Sequence, residues 1–122
     1  MLYKKLLILS FSGVAEWKNE KEMIIPNNMI GYNCFFSTCE LFGDGKYILR
    51  GYYKGGELYR RTEYQNGRQH GLSLGWYENG QPAWKVEHQN DQQHGLSLGW
   101  YKDGQPEWKY EYQNGRLIAE YL

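Results

Sequence analysis

The side chains able to do chemistry are few and periodic. His70 and His94 each open a closely similar stretch, before Gly71 and Gly95. A metal ion or a general base needs such rings to converge on one point. One repeat apart, they stand at least two strand spacings from each other, about 9–10 Å. That is too far to share an ion, and a turn role is expected for both. His88 falls where the neighbouring copies carry Tyr64 and Tyr112, and it reads as a packing residue. Glu63, Glu87 and Glu111 recur at one repeat position. Three in-line carboxylates suggest a cation site, but Arg61, Lys85 and Lys109 lie nearby, and ordinary charge pairs on a sheet account for them. The two cysteines, Cys34 and Cys39, are too few for a disulfide framework and lack the ligand pairs of a zinc finger. Two free thiols are expected. Nothing resembles a Ser-His-Asp or Cys-His arrangement, and each glycine serves a turn rather than a phosphate cradle. The chain is therefore expected to be no enzyme, with no catalytic residue, no metal site and no cofactor.

What must be positioned instead is an aromatic surface. The chain of 122 residues holds 12 Tyr, 5 Trp and 4 Phe beside 15 Gly and 3 Pro. Many aromatics, many glycines and few long aliphatics suit short strands joined by tight turns. The 14 basic and 14 acidic residues balance. Such a balance does not draw a chain to nucleic acid or an anionic membrane. No stretch approaches the roughly 20 apolar residues of a membrane-spanning helix.

The elements come from an internal repeat. His70 to Gln93 and His94 to Leu117 agree at 16 of 24 positions. Gly51 to Gln69 matches Gly99 to Leu117 at 10 of 19. A weaker copy lies upstream, around Glu40 to Lys46, and Ile118 to Leu122 falls where another copy would begin, as a capping strand. Each copy carries two turn signals. One is Asn79-Gly80, repeated as Asp103-Gly104 and Gly55-Gly56; the other is Asn66-Gly67, repeated as Asn114-Gly115 and altered to Asn90-Asp91. Such pairs between aromatic-rich runs are strong hairpin signals, because Gly and Asn tolerate positive φ. The reading is an all-β chain: an extended antiparallel meander of tandem β-hairpins with a 24-residue period, in one twisted sheet, with a less regular N-terminal segment. The repeat domain spans 46–122, and 16–45 forms the N-terminal segment.

Residues 1–15 have the layout of a secretory signal peptide: basic Lys4-Lys5, apolar Leu6 to Phe11, then small Gly13-Val14-Ala15. The competing reading is an ordinary N-terminal strand or helix. On this layout an exported location, periplasm or cell surface, is favoured slightly over a cytoplasmic one.

Register follows from matching faces. A three-residue loop, Glu78-Asn79-Gly80, pairs Trp76 with Pro82, Leu74 with Trp84 and Leu72 with Val86. One face then becomes uniformly apolar. The next copy places Trp100, Trp108, Tyr110 and Tyr112 alike. The candidate binding surface, or the core if residues 16–45 fold over it, is thus Trp76, Trp84, Trp100, Trp108, Tyr110 and Tyr112. The three recurring glutamates fall on the opposite, polar face.

The pattern H-G-x-x-x-G-W-Y-x-x-G-Q, closed by E-Y-Q-N-G at the end of the period, resembles the MORN-repeat-variant family from His70 to Gly115, and partly from Gly51. The resemblance implies consecutive hairpins in an extended antiparallel sheet. It also implies contact with another protein, since some bacterial members are antitoxin components. Gly75-Trp76-Tyr77 and Gly99-Trp100-Tyr101 also look like choline-binding cell-wall repeats, whose aromatics cage a quaternary ammonium; the longer period and the His-Gly element depart from that pattern. The expected function is a non-enzymatic module for protein–protein interaction, antitoxin-like in kind, with a homodimer among its assemblies. The alternative is an envelope protein whose aromatic face meets a glycan, a choline-like ligand or a membrane.

Overall fold

The computed structural model describes residues 16–17, 22–25 and 36–122. Ten strands follow in chain order: β1 (Glu16–Trp17), β2 (Glu22–Ile25), β3 (Phe36–Gly43), β4 (Lys46–Tyr52), β5 (Leu58–Gln65), β6 (Arg68–Trp76), β7 (Pro82–Gln89), β8 (Gln92–Trp100), β9 (Pro106–Gln113) and β10 (Arg116–Glu120). They form one antiparallel sheet in which each strand pairs only with its sequence neighbours. The all-β meander of consecutive hairpins is as the sequence predicts. The leader-like segment, residues 1–15, lies outside the described residues, as does Cys34.

Turn chemistry drives the path. Asn66 and Gly67 both have positive φ, 52° and 81°, as do Asn114 and Gly115 at 49° and 82°. These are the values of a two-residue type I′ turn, whose twist matches that of the flanking strands. The middle copy keeps the turn with Asn90-Asp91, at 50° and 69°. At the other end of each copy the loop has three residues. Tyr77 N donates to Gln81 O at 2.9 Å and Gly80 N to Tyr77 O at 2.9 Å, with Gly80 at φ 86°. Trp76 pairs with Pro82 as expected.

The expected face does not survive beyond that pair. A bulge follows at once, so Gly75 pairs with Trp84, Leu74 with Lys85 and Ser73 with Val86. Ala83 is the extra residue, buried at 6% exposure. Since a one-residue offset turns every later side chain over, Trp84 leaves the face of Leu74 and Trp76 and joins that of Ser73 and Gly75. The same offset between Gly99 and Trp100 places Trp108 opposite Gly99. A second irregularity sits at the His-Gly element. Thr62 pairs with Ser73 but Tyr64 pairs with Gln69, leaving His70, Gly71 and Leu72 opposite the single residue Glu63. Gly71 and Gly95 take φ of 109° and 104° there, a backbone that residues with a Cβ rarely adopt.

Two faces result. One carries the row Cys39, Leu49, Thr62, Ser73, Val86, Ser97 and Tyr110, and the other the row Thr38, Arg50, Arg61, Leu74, Lys85, Leu98 and Lys109. Burial is deepest at small residues: Ser37, Thr38, Cys39, Thr62 and Ser73 are at most 3% exposed. A one-layer sheet shields its backbone this way, with short side chains lying beneath larger neighbours.

Strand β10 departs from β6 and β8. The residue at the place of Gly71 and Gly95 is Ala119. The wide bulge gives way to one extra residue, Ile118, between Leu117 opposite Tyr112 and Ala119 opposite Glu111. The strand is one residue out of step with its counterparts. We expect Gly95→Ala to cost about 1–3 kcal/mol, because its backbone stands at φ 104°, where a Cβ is strained. Urea denaturation followed by tryptophan fluorescence measures this, and a midpoint equal to wild type contradicts it.

Candidate functional site

The six aromatics expected to share a surface are divided. Trp76 and Trp100 lie with Leu72, Leu74, Leu96 and Leu98, whereas Trp84, Trp108, Tyr110 and Tyr112 occupy the opposite face. On that second face the indoles lie flat over glycine. A Cβ built on Gly75 would come within 2.3 Å of the Trp84 ring, and one on Gly99 within 2.3 Å of the Trp108 ring. The seat exists because the partner position has no side chain. Trp108 Nε1 donates to Ser97 Oγ at 3.1 Å. Trp84 takes the Tyr59 ring edge-on, with centroids 6.2 Å apart, and the Arg60 guanidinium at 5.9 Å. Aromatic and cation–π contacts of this kind contribute about 0.5–1.5 kcal/mol each.

Neighbouring copies are tied by side chains that the sequence reading missed. Tyr53 Oη donates to Trp76 O at 2.6 Å, and Tyr77 Oη to Trp100 O at 2.6 Å. Each tyrosine follows the Gly-aromatic pair of its own copy and reaches the next copy's tryptophan carbonyl. The 24-residue recurrence of Tyr53, Tyr77 and Tyr101 was the available signal. Burial, then the charges of neighbouring groups such as Glu78, raises the Tyr53 hydroxyl pKa. Turn backbones are linked too, Asp91 N to Gln69 O and Gly115 N to Gln93 O, both at 2.9 Å.

The recurring glutamates belong to the wide bulge, and they project on the face of Leu72 and Leu96, not on the one opposite. Glu63 Oε1 accepts from Leu72 N at 3.0 Å, an amide that the bulge leaves without a strand partner, while Oε2 pairs with Arg61 at 2.9 Å. Glu87 lies against Gly95 in the same way. Glu111 meets β10 instead and accepts from Tyr121 Oη at 2.6 Å. The ion pair expected for Arg61 is present. Among the described residues Lys85 forms no ion pair, and Lys109 lies 5.5 Å over the Tyr121 ring.

Titratable groups are dispersed. His70 and His94 lie within strands β6 and β8, at the wide bulge, rather than in turns as expected; His94 Nδ1 accepts from Asn114 N of the next turn at 3.3 Å. Cys39 is a free, buried thiol, pushed up to about 12 by burial and then by the Glu22 and Glu40 carboxylates. It is therefore a protonated, unreactive group at neutral pH. No cluster of three metal-ligating side chains occurs among the described residues. A hollow of about 400 Å³ lies among Phe42, Lys46, Ile48, Glu63 and His70. A smaller one of about 220 Å³ lies among Leu96, Leu98, Trp100, Pro106 and Leu122.

His88 stands between Gly71 and Gln93, with its Nδ1 buried and without a partner. Burial lowers its pKa first and the Arg60 charge next, against a smaller opposing effect of Asp91. A lowered histidine disfavours the protonated fold. Stability is therefore complete above the unfolded pKa of about 6.5 and falls as pH drops below it. Urea midpoints from pH 7.5 to 5 should decline more steeply for wild type than for His88→Tyr, which restores the residue of the neighbouring copies; parallel curves would contradict this.

No family model and no curated protein matches the sequence. Among solved structures, a crystal structure of TarM is similar, with a TM-score of 0.56 and 9% identity, covering 98% of this chain. The chain spans 23% of that protein. At this identity the likeness concerns the fold alone: a segment of a larger protein follows a path like this sheet.

Proposed function

We propose that the chain is a non-enzymatic repeat scaffold whose C-terminal end receives another protein. The observation that carries this reading is where apolar groups meet solvent. Leu117, Ile118, Tyr121 and Leu122 are 46%, 53%, 52% and 67% exposed, and Tyr101 is 51% exposed. They gather at β10 and the last copy. Phe42 is the one large exposed apolar residue near the other end among the described residues. Exposed apolar groups gathered at one end of a sheet mark a contact surface.

Strand β10 has a neighbour on one side only. Its outer edge offers backbone donors and acceptors to an added strand. The bulge at Ile118 breaks the regular spacing, which disfavours pairing with an identical edge and favours a partner shaped to it. Tyr101 strengthens the case, because Tyr53 and Tyr77 each bond a following copy and Tyr101 is left at the end of the series. The resemblance to MORN-variant repeats makes an antitoxin component one form of such a scaffold, with a toxin as the partner. The alternative reading, an aromatic face that meets a glycan, a choline-like ligand or a membrane, rests on fewer residues per face, since Trp76 and Trp100 lie opposite Trp84 and Trp108.

Capture from native lysate by the full chain tests the proposal. One stoichiometric protein is expected, held by wild type and by Trp84→Phe, and lost with Leu117→Asp/Ile118→Asp at unchanged circular dichroism. Retention by the double-aspartate variant, or no specific protein at all, overturns it.

A further inference from the structure

The face of Trp76 and Trp100 is ruled by charge in a way that the net balance conceals. Across the strands, one register row runs Arg50, Arg61, Leu74, Lys85, Leu98, Lys109. The adjacent row on the same face, two residues along each strand, carries Glu40, Ile48, Glu63, Leu72, Glu87, Leu96 and Glu111. A basic stripe and an acidic stripe thus lie side by side, each interleaved with leucine. At the N-terminal end the stripes neutralise one another, through Arg50–Glu40 at 2.7 Å and Arg61–Glu63 at 2.9 Å. Toward the C-terminal end they do not: Lys85 and Glu87 form no ion pair among the described residues. Lys85 and Lys109 are exposed, and Leu96 is 37% exposed.

We infer that this face pairs with the same face of a second copy of the chain. A two-fold axis parallel to the stripes, running between them, turns one sheet over onto the other. It exchanges the stripes, so that each basic row lies against the acidic row of the other copy. Lys85 then meets Glu87 of the second copy, and Lys109 meets Glu111. The same operation lays Leu74 and Leu98 against the second copy's Leu72 and Leu96. An isologous contact needs this self-complementarity, and two sheets pack face to face at about 10 Å, within reach of these side chains. A face with charge of one sign would repel its own copy, and one without charge would leave the orientation undefined. Charge pairs that remain partly solvated steer and orient such a contact, while the leucines supply its apolar area.

The inference goes beyond the proposed scaffold function; the two surfaces meet at Tyr121 and Leu122, which lie by Glu111 and Leu96, but the charge variants leave Leu117 and Ile118 in place, so the two fail separately. Sedimentation equilibrium of the full chain decides it. Wild type is expected at twice the 14.5 kDa of one chain. Lys85→Glu/Lys109→Glu makes both stripes acidic and should weaken association at least about tenfold, a loss of roughly 1.4 kcal/mol, with circular dichroism unchanged because both lysines are exposed. Lys54→Glu/Lys102→Glu, the same charge change in the turns, should leave the dimer intact. Mixing the acidic variant with Glu87→Lys/Glu111→Lys should yield a heterodimer. A wild-type monomer at high micromolar concentration, or a dimer insensitive to Lys85→Glu/Lys109→Glu, overturns the inference. If wild type is a monomer yet the lysate partner is still captured through Leu117 and Ile118, the scaffold proposal stands and this one falls.

Discussion

Everything in this molecule depends on side chains lying along a sheet that has only one layer. A second sheet or a helix would ordinarily supply the apolar cover. Here the cover comes from within: an indole from one strand lies across the glycine of the strand before it, at Trp84 on Gly75 and Trp108 on Gly99. The glycine is a receptacle, and buried Ser73 and Ser97 lie on the same face beside it. Enlarging the receptacle by one methyl group puts carbon 2.3 Å from the ring. The two bulges per copy follow from this arrangement. The offset at Ala83 brings the indole over its seat, and the wide bulge at His70-Gly71-Leu72 returns the strand to step.

Coherence along the array has a second source. Each copy is sealed to the next at both ends of its strands: by tyrosine hydroxyls on tryptophan carbonyls at the three-residue loops, and by backbone bonds between turns at the two-residue loops. These bonds sit at the margins, where a one-layer sheet is most open to water. They convert nearest-neighbour pairing into a continuous rod, as in other quasi-one-dimensional repeats.

Much of the fold was legible in the sequence. The 24-residue recurrence gave the hairpins, and Asn-Gly and Asp-Gly gave both turn types, down to the three-residue loop closed by Gly80. What escaped was which face each tryptophan takes. Matching apolar residues across the loop assumes that a sheet has one greasy side. Here Gly75 and Ser73 are the buried positions, and nothing apolar marks them. A glycine that recurs mid-strand, away from any turn signal, was the clue. The role of Glu63 was hidden likewise, since a carboxylate that receives the Leu72 amide looks in sequence like an ordinary surface charge.

Ala119 shows how far one side chain can reach. In β6 and β8 the equivalent glycine lets the strand absorb two extra residues; alanine admits one. A hairpin grown onto β10 would therefore present its indoles to the wrong side, away from any seat. Copies inserted earlier meet no such obstacle, since each adds two strands and restores the step, extending the sheet by about 9.6 Å. Gene duplication can lengthen this protein from the inside, where the sequence is most uniform, while its terminal surface stays constant.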